Sequence, residues 1–118
     1  MLNLNHKKLD VWQLAIKFVT NIYGITSKYP KEELLGLISQ TRRASVSISA
    51  NIAEGAARKS VLERKRFFEI SRSSLVEVDT LIEIAKELKY LNEKIISELE
   101  KELNELFAKL SNFIEKAK

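Results

Sequence analysis

Cysteine is absent from the 118 residues, which excludes disulfide bonds, thiolate metal sites and thiol nucleophiles. Histidine occurs once, at His6. Serine–histidine catalysis, zinc-protease motifs and the Glu-x-x-His pairs of di-iron bundles therefore lack the residues they need. Glycine is scarce, with three copies, and proline has one. Such thin punctuation favours long helices over a turn-rich β fold. No Gly-rich phosphate loop or dinucleotide fingerprint occurs, and no apolar run approaches the roughly 18 residues of a membrane span. The opening stretch MLNLNHKKLD lacks the apolar core of a signal peptide. Glu54, Glu77 and Asp79 could offer oxygens to a hard cation, but such a site needs several converging ligands and their spacing shows none. These absences predict a non-enzymatic, cytoplasmic protein with no cofactor, no metal and no membrane partner.

What is present is helical periodicity. The chain is long enough to bury a core as one domain over residues 1–118, with residues 1–8 as a short tail that contains a surface-lying His6. Four helices are predicted at about 9–28, 31–57, 61–89 and 93–116. On the first, Trp12, Ala15, Val19, Ile22 and Ile25 share a side, which gives Trp12 a core or interface role. Tyr29-Pro30 ends it, because the residue before proline is pushed out of the helical region. Pro30, Glu32 and Glu33 suit the start of the next. Gly55 lies within the second helix, and Ser60 with Glu63 forms a capping-box pattern that starts the third. The third buries Phe68, Ser71, Leu75, Val78, Ile82 and Ala85, and Asn92 caps the fourth. Leu99, Leu103, Leu106, Leu110 and Phe113 then alternate steps of four and three. Short connections between such helices predict an all-α, antiparallel up-down-up-down four-helix bundle.

The second helix carries two stripes. Leu34, Leu37, Ile38, Ala44, Ile48 and Ile52 are apolar, whereas Gln40, Arg43, Ser47, Asn51, Glu54 and Arg58 are polar at steps of 3, 4, 4, 3 and 4. At helical pitch those six fall within an arc of about 80° beside the apolar one. The alignment predicts a structural seam, buried between helices or between subunits. Glu54 and Glu77 would pair there with Arg43, Arg58 or Arg72.

Two further features point outward. The third helix has apolar residues to spare, Leu62, Val76 and Ile84 with Thr80 among them, on the side away from its core face. The second offers small residues, Ser45, Ser49, Ala50, Ala53 and Ala57, against which a neighbour could approach closely. Both predict a homo-oligomer. Charge is uneven as well: residues 1–58 hold eight Lys/Arg against four Asp/Glu, whereas residues 59–118 hold twelve of each. A tighter basic cluster, Arg58, Lys59, Arg64, Lys65, Arg66 and Arg72, straddles the turn between the second and third helices. It is suited to phosphates, so RNA or another nucleic acid is the expected partner. The interleaving of aromatic and basic residues expected of a single-strand stacking platform is not present, so none is predicted.

Several runs together resemble a known family. They are Leu9-x-Val11-Trp12-Gln13-x-Ala15, Tyr29-Pro30-x-Glu32-Glu33, and the long block Gly36-Leu37-x-x-Gln40-x-Arg42-Arg43-Ala44-x-x-Ser47-Ile48-x-x-Asn51-Ile52-Ala53-Glu54-Gly55 with Arg58. Phe67-Phe68-x-Ile70, Ser74-Leu75 and Glu77-x-Asp79-Thr80 extend the match. Over roughly residues 8–115 the chain resembles the intervening-sequence proteins of 23S ribosomal RNA. The resemblance implies a bacterial four-helix bundle that assembles into a homopentamer. It also implies kinship with the accessory variability proteins of diversity-generating retroelements, which bind nucleic acid and a reverse transcriptase. One departure is Ser73, where a glycine is usual; it is expected to widen a helix–helix approach. The expected function is association with structured RNA through the basic turn. The alternative is a scaffold that docks a reverse transcriptase or other mobile-element partner without touching nucleic acid.

Overall fold

Asp10 opens the first long helix, α1 (Asp10–Thr26), directly after the extended backbone of Leu9, and its carboxylate favours the positive helix end. In the computed structural model, which describes residues 1–117, α2 (Ser39–Ala56), α3 (Val61–Glu87) and α4 (Glu93–Lys116) follow. Among the described residues there is no strand, and the arrangement is consistent with a four-helix bundle. α1 packs on α2 and α4, and α3 packs on the same two. None of the described helices is long and apolar enough to cross a membrane.

The core face of α1 is Val11, Ala15, Phe18, Ile22 and Thr26. Trp12, Val19 and Ile25, expected on that face, lie at its edges and are half-buried. Trp12 meets the ring of His6 edge-on at 5.1 Å. His6 is therefore half-buried in a 3-10 turn, Asn5–Lys8, rather than free on the surface. At the other end of α1, Arg42 reaches across from α2. Its Nε donates to Thr26 Oγ1 at 2.9 Å and its Nη2 to the Tyr23 carbonyl at 3.3 Å. One side chain thus ties the two helices, adding a donor to a carbonyl that also accepts the Ser27 amide at 3.1 Å.

The second helix starts later than its pattern suggests. After Pro30 the chain makes a 3-10 turn, Lys31–Glu33, then a π turn, Leu34–Ile38, in which Gly36 leaves the helical region (φ −109°, ψ −109°). The Glu33 carboxylate accepts from the Leu37 amide at 3.3 Å and caps this irregular segment. The phase shift corrects one expectation: Leu34 is 58 % exposed, while Leu37, Ile38, Ala44, Ile48 and Ile52 are buried. Gly55 stays inside α2, as its pattern indicates.

Local capping shapes the remaining ends. Ser60 Oγ accepts from the Glu63 amide at 3.3 Å and Asn92 Oδ1 from the Ile95 amide at 2.8 Å, as their positions predict. α3 closes with Lys89 in the left-handed region (φ 63°), which lets the Tyr90 amide donate to the Ala85 carbonyl at 3.0 Å. Phe68, Ser71, Leu75, Val78, Ile82 and Ala85 are all buried, and so are Leu99, Leu103, Leu106 and Leu110. Ser73 is exposed, so it widens no helix approach within the chain.

Tyr29 is the least comfortable core residue. It is 4 % exposed, its ring lies 5.4 Å from that of Tyr90, and its hydroxyl has no hydrogen-bond partner among the described residues. The Tyr90 hydroxyl, by contrast, donates to Glu33 Oε2 at 2.9 Å. Burial pushes the Tyr29 phenol up to about 12. A group whose folded pKa exceeds its unfolded value stabilises fully below the unfolded value, near 10, and loses that contribution as pH climbs toward 12. Tyr29→Phe is expected to raise stability at neutral pH by up to about 1 kcal/mol, because it deletes an unpaired buried hydroxyl. It should also make the loss of stability above pH 10 shallower. Urea midpoints at neutral and alkaline pH test both.

Candidate nucleic-acid interface

Four residues, Ala57 to Ser60, separate α2 from α3, and the turn depends on Arg64. Arg64 Nη1 donates to the carbonyls of Arg58 at 3.1 Å and Lys59 at 2.8 Å. A guanidinium that binds two turn carbonyls fixes backbone, and this one is half-buried in doing so. Arg64 therefore positions the basic turn rather than forming its outer surface. Arg72 departs further from the expected cluster. It is half-buried, its Nη1 donates to Ser111 Oγ of α4 at 3.1 Å, and its guanidinium lies 5.8 Å from the Phe107 ring centroid. Arg58, Lys59 and Arg66 are exposed, and Lys65 is half-buried.

Arg58 has a more specific setting than its place in a charge run suggests. Its Nη2 donates to Glu54 Oε2 at 3.0 Å, and its guanidinium carbon lies 4.8 Å from the centroid of the Phe67 ring. With Leu62, Glu63, Arg66 and Glu69 these two residues line a groove of about 690 Å³ beside the turn. The aromatic–cation pair was not legible along the chain because Arg58 lies in the turn and Phe67 on α3, nine residues on. The only sequence signal was the short turn that folds α3 back on α2.

The polar stripe follows the rim of the α2–α3 contact rather than its interior. Ser74 Oγ of α3 bonds Ser47 Oγ at 3.0 Å, and Asn51 Nδ2 donates to Ser47 Oγ at 2.9 Å. Ser47 and Asn51 are half-buried there, whereas Gln40, Arg43 and Glu54 are exposed. Burial of those three between helices of one chain is thus not found. An arc adjacent to the apolar face reaches the edge of a joint without entering it. Glu54 pairs with Arg58 one turn away, both well exposed, a geometry worth a few tenths of a kcal/mol. Among the described residues, Arg43 and Glu77 have no ion-pair partner within the chain.

The α2–α3 contact itself is close. Ser71 Oγ donates to the Ile48 carbonyl at 2.7 Å, and a Cβ built on Gly55 would lie 2.6 Å from Phe68 Cε1. The small residues Ser45 and Ser49 are buried inside the chain, whereas Ala50 and Ala57 are exposed. Leu62, Val76, Thr80 and Ile84 are exposed along the length of α3, with Leu62 at 80 %. Among the described residues, no group of three or more His, Cys, Asp or Glu side chains could hold a metal ion.

Comparison with curated protein sequences returned no match. The family model described as 23S rRNA-intervening sequence protein matches residues 7–112, which include α1, α2 and α3 entire and all but the last turn of α4. The chain belongs to that family.

Proposed function

We propose that this chain is a non-enzymatic, homo-oligomeric protein of the cytoplasm that associates with structured RNA through the α2–α3 turn. The observation that carries the reading is the exposure of Arg58 and Lys59 on a turn whose backbone Arg64 holds in place, with Arg66 exposed on the start of α3 beside it. Preset cations gather phosphates with little sequence preference. The family name points to RNA as the polyanion. The unit is a single domain of up-down-up-down topology. Pairings such as Ile48 with Ser71 and Ser47 with Ser74 on α2 and α3 support that topology, as does Phe68 with Phe113 on α3 and α4. Self-association, to a pentamer by resemblance, is supported by the exposed Leu62, Val76, Thr80 and Ile84 and by Arg43 and Glu77, which have no ion-pair partner among the described residues. Light-scattering mass in solution tests the assembly.

Filter binding of a structured RNA across a salt series tests the partner. Contacts from Arg58, Lys59, Lys65 and Arg66 should give a log–log salt slope of roughly −3 per protomer. Lys59→Glu with Arg66→Glu should weaken binding by about tenfold or more. A flat salt response sinks the proposal. The exposed apolar row on α3 favours a second reading, a scaffold for a protein partner such as a reverse transcriptase. That reading gains if the charge reversals leave function intact while Val76→Asp with Ile84→Asp abolishes it.

A further inference from the structure

We propose that the groove beside the α2–α3 turn takes one unpaired nucleotide of RNA, with its base stacked on the guanidinium plane of Arg58. The inference rests on the RNA reading above and names which part of an RNA the site takes.

The argument begins with how Arg58 is held. Glu54 accepts from the edge of the guanidinium at 3.0 Å, and the Phe67 ring lies 4.8 Å from its central carbon. An edge contact and a ring contact together limit rotation of a side chain that is otherwise free to turn. A guanidinium held in this way is a stacking surface as well as a charge, and guanidinium planes are among the groups on which splayed RNA bases stack. Phosphate attraction alone needs no such restraint.

The groove's size and lining agree with that occupant. At about 690 Å³ it falls in the range of pockets that hold small organic ligands, so one nucleotide can enter. Phe67 backs one face of the guanidinium and leaves the other for the base, Leu62 adds apolar surface beside it, and Arg66 gives a cation for the attached phosphate. Glu63 and Glu69 also line it and would repel a phosphate. Carboxylates accept hydrogen bonds from exocyclic base amines, however, so the acidic lining favours the base inside and the phosphates outside. A duplex cannot satisfy this arrangement, because its bases are stacked away and it presents only backbone and a shallow groove. An apolar peptide would leave Arg66 and both carboxylates desolvated and unpaired.

The test compares an RNA hairpin closed by an adenosine loop with a blunt RNA duplex of equal phosphate count, at one salt concentration, by fluorescence anisotropy. The hairpin is expected to bind about tenfold tighter. Arg58→Lys, which keeps the charge and loses the plane, should bring that ratio to about one while circular dichroism stays native. A 2-aminopurine in the loop should change emission on binding the natural chain and not the Arg58→Lys variant. Equal affinity for hairpin and duplex, or a preference that survives Arg58→Lys, overturns the nucleotide site and leaves the RNA reading standing. Binding to neither RNA overturns both.

Discussion

Replacing Phe68 by alanine is expected to cost the fold about 3–5 kcal/mol, a large share of the 5–15 kcal/mol that holds a domain of ordinary stability together. Phe68 is 2 % exposed and belongs to three helices at once. It projects from α3, stacks on Phe113 of α4 with ring centroids 4.7 Å apart, and lies against Gly55 of α2. Alanine there removes a whole ring and leaves a cavity that the packed helices close only in part. Guanidinium or urea unfolding would show the loss as a lower midpoint with little change in slope. A change below about 1 kcal/mol would mean that the ring is not the junction of three helices. The site bears on the proposed RNA interface because Phe67, its neighbour in sequence, lies against Arg58. Hydrogen exchange at the turn amides should therefore quicken in this variant before the rest of the molecule responds.

Where the sequence was sufficient, the deciding physics was local. Ser60 and Asn92 cap their helices through side chains that reach only three residues on, so their role is visible in any short window. The faces of α3 and α4 follow from pitch alone, from Phe68 through Ala85 and from Leu99 through Leu110. Leu34 shows what pitch cannot carry. Gly36 takes a backbone conformation that shifts the helical phase, and nothing in its neighbours announces the shift. Arg72 shows a limit of reading charge as a run. Six positions after Arg66, it lies roughly 240° further round the helix, so it faces α4 while Arg66 faces solvent. For the polar stripe, periodicity gave the direction of the side chains correctly. How far the neighbouring helix extends over them is a tertiary property, and it left Arg43 and Glu54 outside. Arg58 and Phe67 meet only because a short turn brings two helices together, which no window along the chain reveals.

Gly55 gives the second large effect. A helix interior normally gains up to about 1 kcal/mol when glycine becomes alanine. Here the added Cβ would lie 2.6 Å and 2.8 Å from two carbons of the Phe68 ring and 3.0 Å from Phe67 Cβ. The ring cannot swing away, because Phe113 stacks on it. Overpacking of this type costs about 1–3 kcal/mol and outweighs the gain in propensity, so Gly55→Ala should destabilise by about 1–2 kcal/mol. Gly55→Val, with two further carbons and a poorer helix propensity, should cost about 3 kcal/mol. The explanation can be separated from a general intolerance of α2 by a double-mutant cycle. Once Phe68→Ala has removed the ring, the closest remaining contact is the 3.0 Å approach to Phe67 Cβ, which a shift of a few tenths of an ångström relieves. In that background Gly55→Ala should change sign and recover up to about 1 kcal/mol, making the double variant more stable than Phe68→Ala alone. Additive losses would mean that Gly55 is required by its backbone and not by the ring that faces it.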